Sequence, residues 1–307
     1  MSLREGYCPE KPESHTDQPV EHIVHSEQIS HQPAIFMGAE PHNGNEIKAS
    51  MAKLYDYYYT SREYSRRFPK PNRATLDFLF RHGAGKAVNI LDYGCGNGRY
   101  ALPLLQQTKA QLTGYDISLP AINEFAAYVQ DSPLAARVRL FCGSSSLLEK
   151  QGRYDLILLL FGVLSHVGNR ADRLKTLRQM RSLIADEGRL ILTVPSMYRR
   201  RPLELLYATI KRAQGSATEP LIEPGNIIFT RNIAHEEHHF FYHLYTVKSL
   251  KEELQEAGFV SRMLSPESIF PEWMITKSDL LGKIDAAMLP LLPVSLGYGI
   301  CVVADPA

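Results

Sequence analysis

The sequence predicts an α/β domain in which a mainly parallel, doubly wound sheet of seven strands carries helices on both faces, with insertions after the fifth and sixth strands. Three observations predict it. After Gly85, apolar runs of strand length alternate with helical segments, the pattern of successive βαβ units. Three alternating glycines, Gly94, Gly96 and Gly98, separate the first of these runs from the next helix. Two stretches, 197–245 and 267–296, interrupt the alternation late in the chain.

The strands are expected at Val88–Asp92, Gln111–Tyr115, Val138–Cys142, Tyr154–Phe161, Arg189–Val194, Val260–Leu264 and Tyr298–Ala304. Between Arg170 and Ile184, Leu174, Leu177, Met180 and Ile184 form one apolar stripe of a helix. Arg173, Lys175, Arg178 and Arg181 lie off the stripe and read as a solvated face. A second helix, Val247 to Ala257, stops at Gly258, which suits a left-handed cap. Ligands of such sheets bind beyond the carboxyl ends of the strands, so both insertions are expected to roof a site.

Residues 1–48 are rich in His, Glu, Pro and Ser and poor in periodic apolar positions, and read as a mobile polar arm. Their five histidines, His15, His22, His25, His31 and His42, have irregular spacings that suggest no metal site. Residues 49–86 read as helices that cap the domain, bent at Phe68-Pro69-Lys70-Pro71. The main domain is expected over 87–307.

Lys plus Arg, 34, nearly cancel Asp plus Glu, 33, so the net charge of +1 gives no global attraction to nucleic acid or membrane. The four cysteines form no C-x-x-C pair and three of them adjoin apolar runs, which points to a reducing, cytoplasmic setting. Residues 1–14 lack an apolar core, and the longest apolar runs are too short for a membrane span.

The chemistry lies in Asp92-Tyr93-Gly94-Cys95-Gly96-Asn97-Gly98-Arg99. Glycines permit a tight turn and let the main chain approach a ligand. Asp92 precedes them, and Asp116 closes the next strand about 20 residues on, where a ribose-binding carboxylate belongs. A dinucleotide site is the rival. It requires Gly or Ala where this chain has Arg99, and a pyrophosphate would be repelled by Asp92, whereas an amino-acid ammonium would be attracted.

The glycine spacing with Asp92, together with Gly114-Tyr115-Asp116-Ile117, resembles motifs I and II of the class I S-adenosylmethionine-dependent methyltransferases, a Rossmann-like fold. The resemblance covers roughly residues 50 to 304. It implies that Asp116 holds the ribose, Ile117 lies against the adenine, and Asp92 and Gly94 face the methionine part. Gly96, Gly98, Phe161, Tyr59 and Arg62 complete the expected cofactor set. The family usually has an acidic residue after the third strand. Here Ser144 takes its position, and its hydroxyl could meet the adenine instead. Shorter segments, Tyr55-Asp56, Tyr59-Thr60-Ser61-Arg62, Arg67-Phe68-Pro69 and Phe241-Tyr242-His243-Leu244-Tyr245, look like the enzymes that methylate the carboxymethyl group on the wobble uridine of tRNA. Similar aromatic segments occur in small-molecule methyltransferases.

The acceptor expected first is therefore an oxygen or nitrogen on a modified tRNA wobble uridine, with a small metabolite as the alternative, ahead of NAD-linked oxidation and a non-catalytic cofactor-binding subunit. Methyl transfer from a sulfonium is an in-line displacement that needs no metal. His166, just after the fourth strand, is the candidate base. Tyr55, Tyr58 and Tyr59 belong to a capping helix, packed in the core or against ligand. Arg199, Arg200 and Arg201 follow the fifth strand and could hold a phosphate or carboxylate, with Lys211 and Arg212 extending that patch. His235-Glu236-Glu237-His238-His239 matches H-E-x-x-H, but its flanks read as a hairpin rather than the helix a zinc site needs. His239, Tyr242 and His243 are expected instead to line the acceptor pocket.

Overall fold

All seven expected strands pair into one sheet in the computed structural model, which describes residues 32–38 and 46–307. In chain order the strands are β1 (Ala34–Gly38), β2 (Asn89–Tyr93), β3 (Gln111–Asp116), β4 (Val138–Gly143), β5 (Tyr154–Leu159), β6 (Ile184–Pro195), β7 (Asn226–Ile233), β8 (Glu236–His243), β9 (Phe259–Pro266) and β10 (Gly299–Pro306). The helices are α1 (Glu46–Thr60), α2 (Glu63–Arg67), α3 (Arg73–Leu79), α4 (Ala101–Gln107), α5 (Leu119–Val129), α6 (Arg170–Leu183), α7 (Pro202–Ala213), α8 (Val247–Glu256), α9 (Glu272–Ile275) and α10 (Asp279–Met288).

The sheet runs β1-β4-β3-β2-β5-β6-β10-β9, parallel from β1 to β6, with β10 antiparallel to both its neighbours. Successive side chains of a strand face opposite sides, so the continuous apolar runs feed two cores. Leu91, Ile157 and Leu192 pack with α6 and α8, while Ile90, Leu156 and Ile191 pack with α4 and α5. The chain reverses at β2, between β3 on one side and β5 on the other, and the glycine loop leaves the carboxyl end of that strand. That is the topological switch point, where sheets of this kind open a crevice.

The eighth strand, β1, corrects the expectation of a polar arm over 1–48. Ala34-Ile35-Phe36-Met37 pairs parallel with β4, from Ala34 opposite Arg139 to Gly38 opposite Gly143, and the Phe36 ring stacks on Phe141 at 4.7 Å. Four apolar residues are too few to show a period. What orders them is the free edge of β4, which a local reading does not see. The histidines His15, His22, His25, His31 and His42 lie outside the described residues.

A second correction concerns α6. Asn169 and Asp172 form a reciprocal cap at its start, and its apolar stripe is buried as expected. Arg173 is not solvated: it is fully buried and bonds Glu253 at 2.6 Å and Glu223 at 2.5 Å. Carboxylates from α8 and from the first insertion supply the counter-charge a buried guanidinium needs.

The two insertions form a roof over the carboxyl end of the sheet. β7 and β8 make the expected hairpin, Phe229 stacking on Phe240, and its inner face packs on Met51, Leu54 and Tyr58 of α1. The tight turn, Ala234-His235, has both residues at positive φ, the backbone of a two-residue hairpin loop. His235 is thus in a turn and His239 on a strand, away from any helical zinc geometry.

The pairing of β1 is testable. Removing residues 1–38 should destabilise the protein by about 1–3 kcal/mol relative to removing 1–31, since several edge hydrogen bonds and the Phe36 contact go together. Equal melting temperatures for the two truncations would show that β1 contributes nothing.

Candidate active site

The glycine loop is built by the end of β3. Gly94 and Cys95 both donate their N–H to the Tyr115 carbonyl, at 2.7 and 3.0 Å. The Asp116 carboxylate accepts from Gly96 N–H at 2.8 Å through one oxygen and from Ser118 N–H at 2.9 Å through the other. Gly96 has φ +55°, and any side chain there would collide with the Tyr59 hydroxyl. Loop, second strand and capping helix therefore fit together only around that glycine.

Above the loop lies a crevice of about 880 Å³, large enough for a nucleoside carrying an amino-acid tail. Gly94, Asp116, Ile117, Ser144, Tyr59 and Phe161 line it, as the sequence suggested. Ser144 Oγ is 2.8 Å from Ser146 Oγ on the same wall. Asp92, Gly96 and Gly98 are not on the lining but lie in the loop and strand that support it. Arg62 is a correction: it is exposed, caps α2 in a left-handed conformation and does not reach the crevice, because the chain turns after Thr60 instead of continuing α1.

Burial and then the nearby Asp116 push the Asp92 carboxyl up to about 7, with Arg99 pulling the other way. Burial also raises Asp116, to about 6, against the N–H groups of Ser118 and Gly96 that favour its charge. Two uncomfortable carboxylates beside a cavity favour a cationic ligand group.

His166 is buried, and burial lowers it to about 3, so it is neutral. Its Nδ1 lies 2.9 Å from the Phe241 carbonyl, which can only accept, so Nδ1 carries the proton. Nε2 then accepts from the Tyr55 hydroxyl at 2.9 Å. With both ring nitrogens engaged, His166 ties the hairpin to α1 and positions Tyr55, which lines the crevice. The geometry does not offer it as the base the sequence suggested.

A second cavity, about 470 Å³, shares the Phe161 wall with the first. Phe161 has φ +60° and its backbone N–H is held by Thr193 Oγ at 2.7 Å, which fixes the ring between the two spaces. Arg200, Arg201, Arg231, Arg67, Tyr242 and Trp273 line the second cavity. Arg199 also borders it, but its guanidinium is spent on the Leu296 and Ile269 carbonyls, at 3.2 and 3.1 Å. Two expected pocket residues are not there. His239 faces solvent on β8, beside Thr230, and His243 is buried behind the cavity, with Nδ1 2.7 Å from Asn226 Oδ1. On a strand the side chains alternate, so Tyr242 and His243 cannot both face one cavity. Glu223, His243 and Glu253 approach metal-like spacing, but Arg173 already takes both carboxylates.

Arg99 was read only as an obstacle to dinucleotide binding. In the structure its Nη1 meets Glu272 of α9 at 2.5 Å, both side chains being buried, and its guanidinium lies over Phe161 at 4.4 Å. Arg67, Arg231 and Glu272 were missed as site residues. They come from three distant parts of the chain and no local pattern joins them.

The chain matches the methyltransferase domain family over residues 55–262. It belongs to that family. A protein of Encephalitozoon cuniculi named as a methyltransferase is 25% identical over 205 residues, 66% of this chain and 84% of that protein. Among solved structures, an S-adenosylmethionine-dependent methyltransferase from Clostridium acetobutylicum covers 82% of this chain and 99% of its own at 12% identity, with a TM-score of 0.55. The magnesium protoporphyrin IX methyltransferase of Synechocystis, solved with bound S-adenosylhomocysteine, covers 85% and 100% at 17% identity, with a TM-score of 0.51. The last two establish the fold. The methyltransferase expected from Asp92, the glycines and Asp116 is the family found.

Asp92 gives this methyltransferase a pH signature. Its carboxyl is raised in the folded state from an ordinary 3.8 to about 7, so its contribution to stability is present below pH 4 and lost as pH rises through 7. Asp92→Asn should therefore stabilise the fold at pH 8, by roughly 3–4 kcal/mol relative to its effect at pH 4. The same substitution should weaken S-adenosylhomocysteine roughly tenfold or more, a charge partner for the ammonium being lost. Thermal melts at the two pH values and calorimetry measure these effects, and destabilisation at pH 8 would contradict the assignment.

Proposed function

We propose that the chain transfers the methyl group of S-adenosylmethionine to an oxygen or nitrogen of a small organic acceptor bound in the second cavity. The observation that carries this reading is the Phe161 wall shared by the two cavities, the first bordered by Gly94 and Asp116 of the glycine-loop region and the second richest in guanidinium groups. The first fits the cofactor: Asp116 for the ribose hydroxyls, Ile117 and Ser144 for the adenine, Gly94 and the charge of Asp92 for the methionine part. The cofactor, when bound, supplies a methyl group on a cationic sulfur that becomes neutral on transfer. The chain's own part is to orient the acceptor and exclude water. Tyr55, Tyr59 and Tyr64 of the capping helices and Phe161 do the latter.

The tRNA reading rests on the short resemblances at Tyr55-Asp56, Arg67-Phe68-Pro69 and Phe241–Tyr245. Against it stands the state of the expected phosphate patch. Arg199 is tied to two carbonyls, Arg201 to Glu204 at 2.9 Å, and Arg212 to the Leu221 carbonyl at 3.0 Å. Between them, α7 exposes Leu203, Leu206, Tyr207 and Ile210, an apolar stripe unsuited to a phosphate backbone. These observations favour the small molecule. A binding subunit without catalysis would keep the first cavity but have no use for the second.

The test is transfer of tritiated methyl into extract from a strain lacking the protein. Label is expected in the small-molecule fraction, with a rate changing less than about twofold between low and moderate salt. Label in RNA with a steep salt dependence would reverse the choice of acceptor, and no label at all would leave a non-catalytic subunit.

A further inference from the structure

Three guanidinium groups line the second cavity with no carboxylate hydrogen-bonded to any of them, although the buried Glu267 and Glu272 lie near enough to Arg200 to favour its charge. Among the described residues, Arg67, Arg200 and Arg231 have no acidic hydrogen-bond partner, whereas Arg201 has Glu204, and Glu272 on the opposite wall is taken by Arg99. Their ordinary contacts are aromatic. Arg67 lies 5.3 Å from the Trp273 ring and 5.7 Å from Phe68, Arg200 4.6 Å from Tyr298, and Arg231 4.9 Å from Phe240. Arg200 also points Nη2 at the Tyr242 hydroxyl, 3.5 Å away, and Arg231 donates to Tyr58 Oη at 3.1 Å. The Arg67 Nε is buried with no hydrogen-bond partner at all. Buried polar groups are normally satisfied, so a guanidinium that lines a cavity and keeps one N–H unpaired lacks the full set of acceptors its fork can engage.

The crowding has an electrostatic consequence. Partial burial lowers the Arg67 guanidinium, and the neighbouring charges of Arg231 and Arg201 lower it further. Like charges held together in this way are relieved by an anion, and the planar fork of arginine matches a carboxylate through paired hydrogen bonds. Phe161, Phe229 and Trp273 line the same cavity and give it an apolar part suited to a planar body.

We propose that the acceptor is a small carboxylic acid with a planar body, its carboxylate held by Arg67, Arg200 and Arg231 and its ring lying among Phe161, Phe229 and Trp273. This deepens the methyltransferase reading and rests on it for the role of the second cavity as acceptor site. The carboxylate is preferred to a phosphate ester because Phe161, Phe229 and Trp273 line the same cavity as the guanidinium groups, and a planar acid presents an apolar body beside its charge.

Trp273 is the chain's single tryptophan, so its emission reports on this cavity alone. The full-length protein, with S-adenosylhomocysteine added, is titrated with benzoate, benzamide and inorganic phosphate. Benzoate is expected to change the emission saturably, and benzamide and phosphate to need at least about tenfold higher concentration. Arg67→Gln should raise the benzoate midpoint about tenfold or more, with partial recovery in Arg67→Lys, while the thermal shift produced by S-adenosylhomocysteine stays unchanged. Should Arg67→Gln fail to fold, Arg231→Gln provides the same comparison. Equal responses to benzoate and benzamide, a stronger response to phosphate, or none to benzoate while S-adenosylhomocysteine still shifts the melt would overturn the proposal. Loss of the S-adenosylhomocysteine shift in the unmodified protein would instead defeat the cofactor reading, and the benzoate response would still decide the nature of the second cavity.

Discussion

The buried ion pair of Arg99 and Glu272 is the constraint on which the site depends. Arg99 leaves the glycine loop at the start of α4, and Glu272 opens α9 in the second insertion, so their contact at 2.5 Å joins the cofactor floor to the roof. Tyr100 Oη donates to the same Glu272 carboxylate at 3.0 Å. The guanidinium is sandwiched among Phe161, Phe68 and Tyr100, while its Nε and Nη2 have no hydrogen-bond partner. Among the described residues Glu272 is the one carboxylate that hydrogen-bonds this guanidinium, and loss of one partner from such a pair typically costs ~3–5 kcal/mol. The pair therefore holds Phe161 in position between two cavities while neutralising an acid that would otherwise oppose an anion in the second.

From that fixed wall follows a polarised site. On one side Asp92 and Asp116 sit in surroundings that raise both carboxyls, so a cation lowers the electrostatic cost. On the other, Arg67, Arg200 and Arg231 line one cavity, Arg67 is pushed down by burial and then by the nearby Arg231 and Arg201, and an anion lowers the electrostatic cost there. Methyl transfer from a sulfonium draws an electron-rich acceptor towards a positive centre, and a protein that separates the two binding charges across one aromatic ring orients both partners. The neutral His166, locked between the Phe241 carbonyl and Tyr55, has both ring nitrogens engaged and serves to hold the hairpin against α1.

Much of this was legible in the sequence. The seven core strands, the hairpin around Ala234-His235, the cofactor crevice and the roofing insertions follow from local signals: apolar runs, glycine spacing and breaks in alternation. Gly94, Asp116, Ile117, Ser144, Tyr59 and Phe161 were named from motif position and do border one cavity. What escaped depends on partners far along the chain. Strand β1 is ordered by an edge one hundred residues away, Arg173 is buried because Glu223 and Glu253 arrive to meet it, and His243 turns away from Tyr242 by the alternation of a strand. The guanidinium cluster is the clearest case, since Arg67, Arg200 and Arg231 share no spacing and meet only in three dimensions.

The central claim is that the crevice over the glycine loop takes S-adenosylmethionine and not a dinucleotide. Calorimetric titration of the purified protein with S-adenosylhomocysteine, and separately with NAD, measures it directly. The account predicts one site per chain for S-adenosylhomocysteine, lost in Asp116→Ala, and no heat of binding with NAD. Binding of NAD with none for S-adenosylhomocysteine would contradict it.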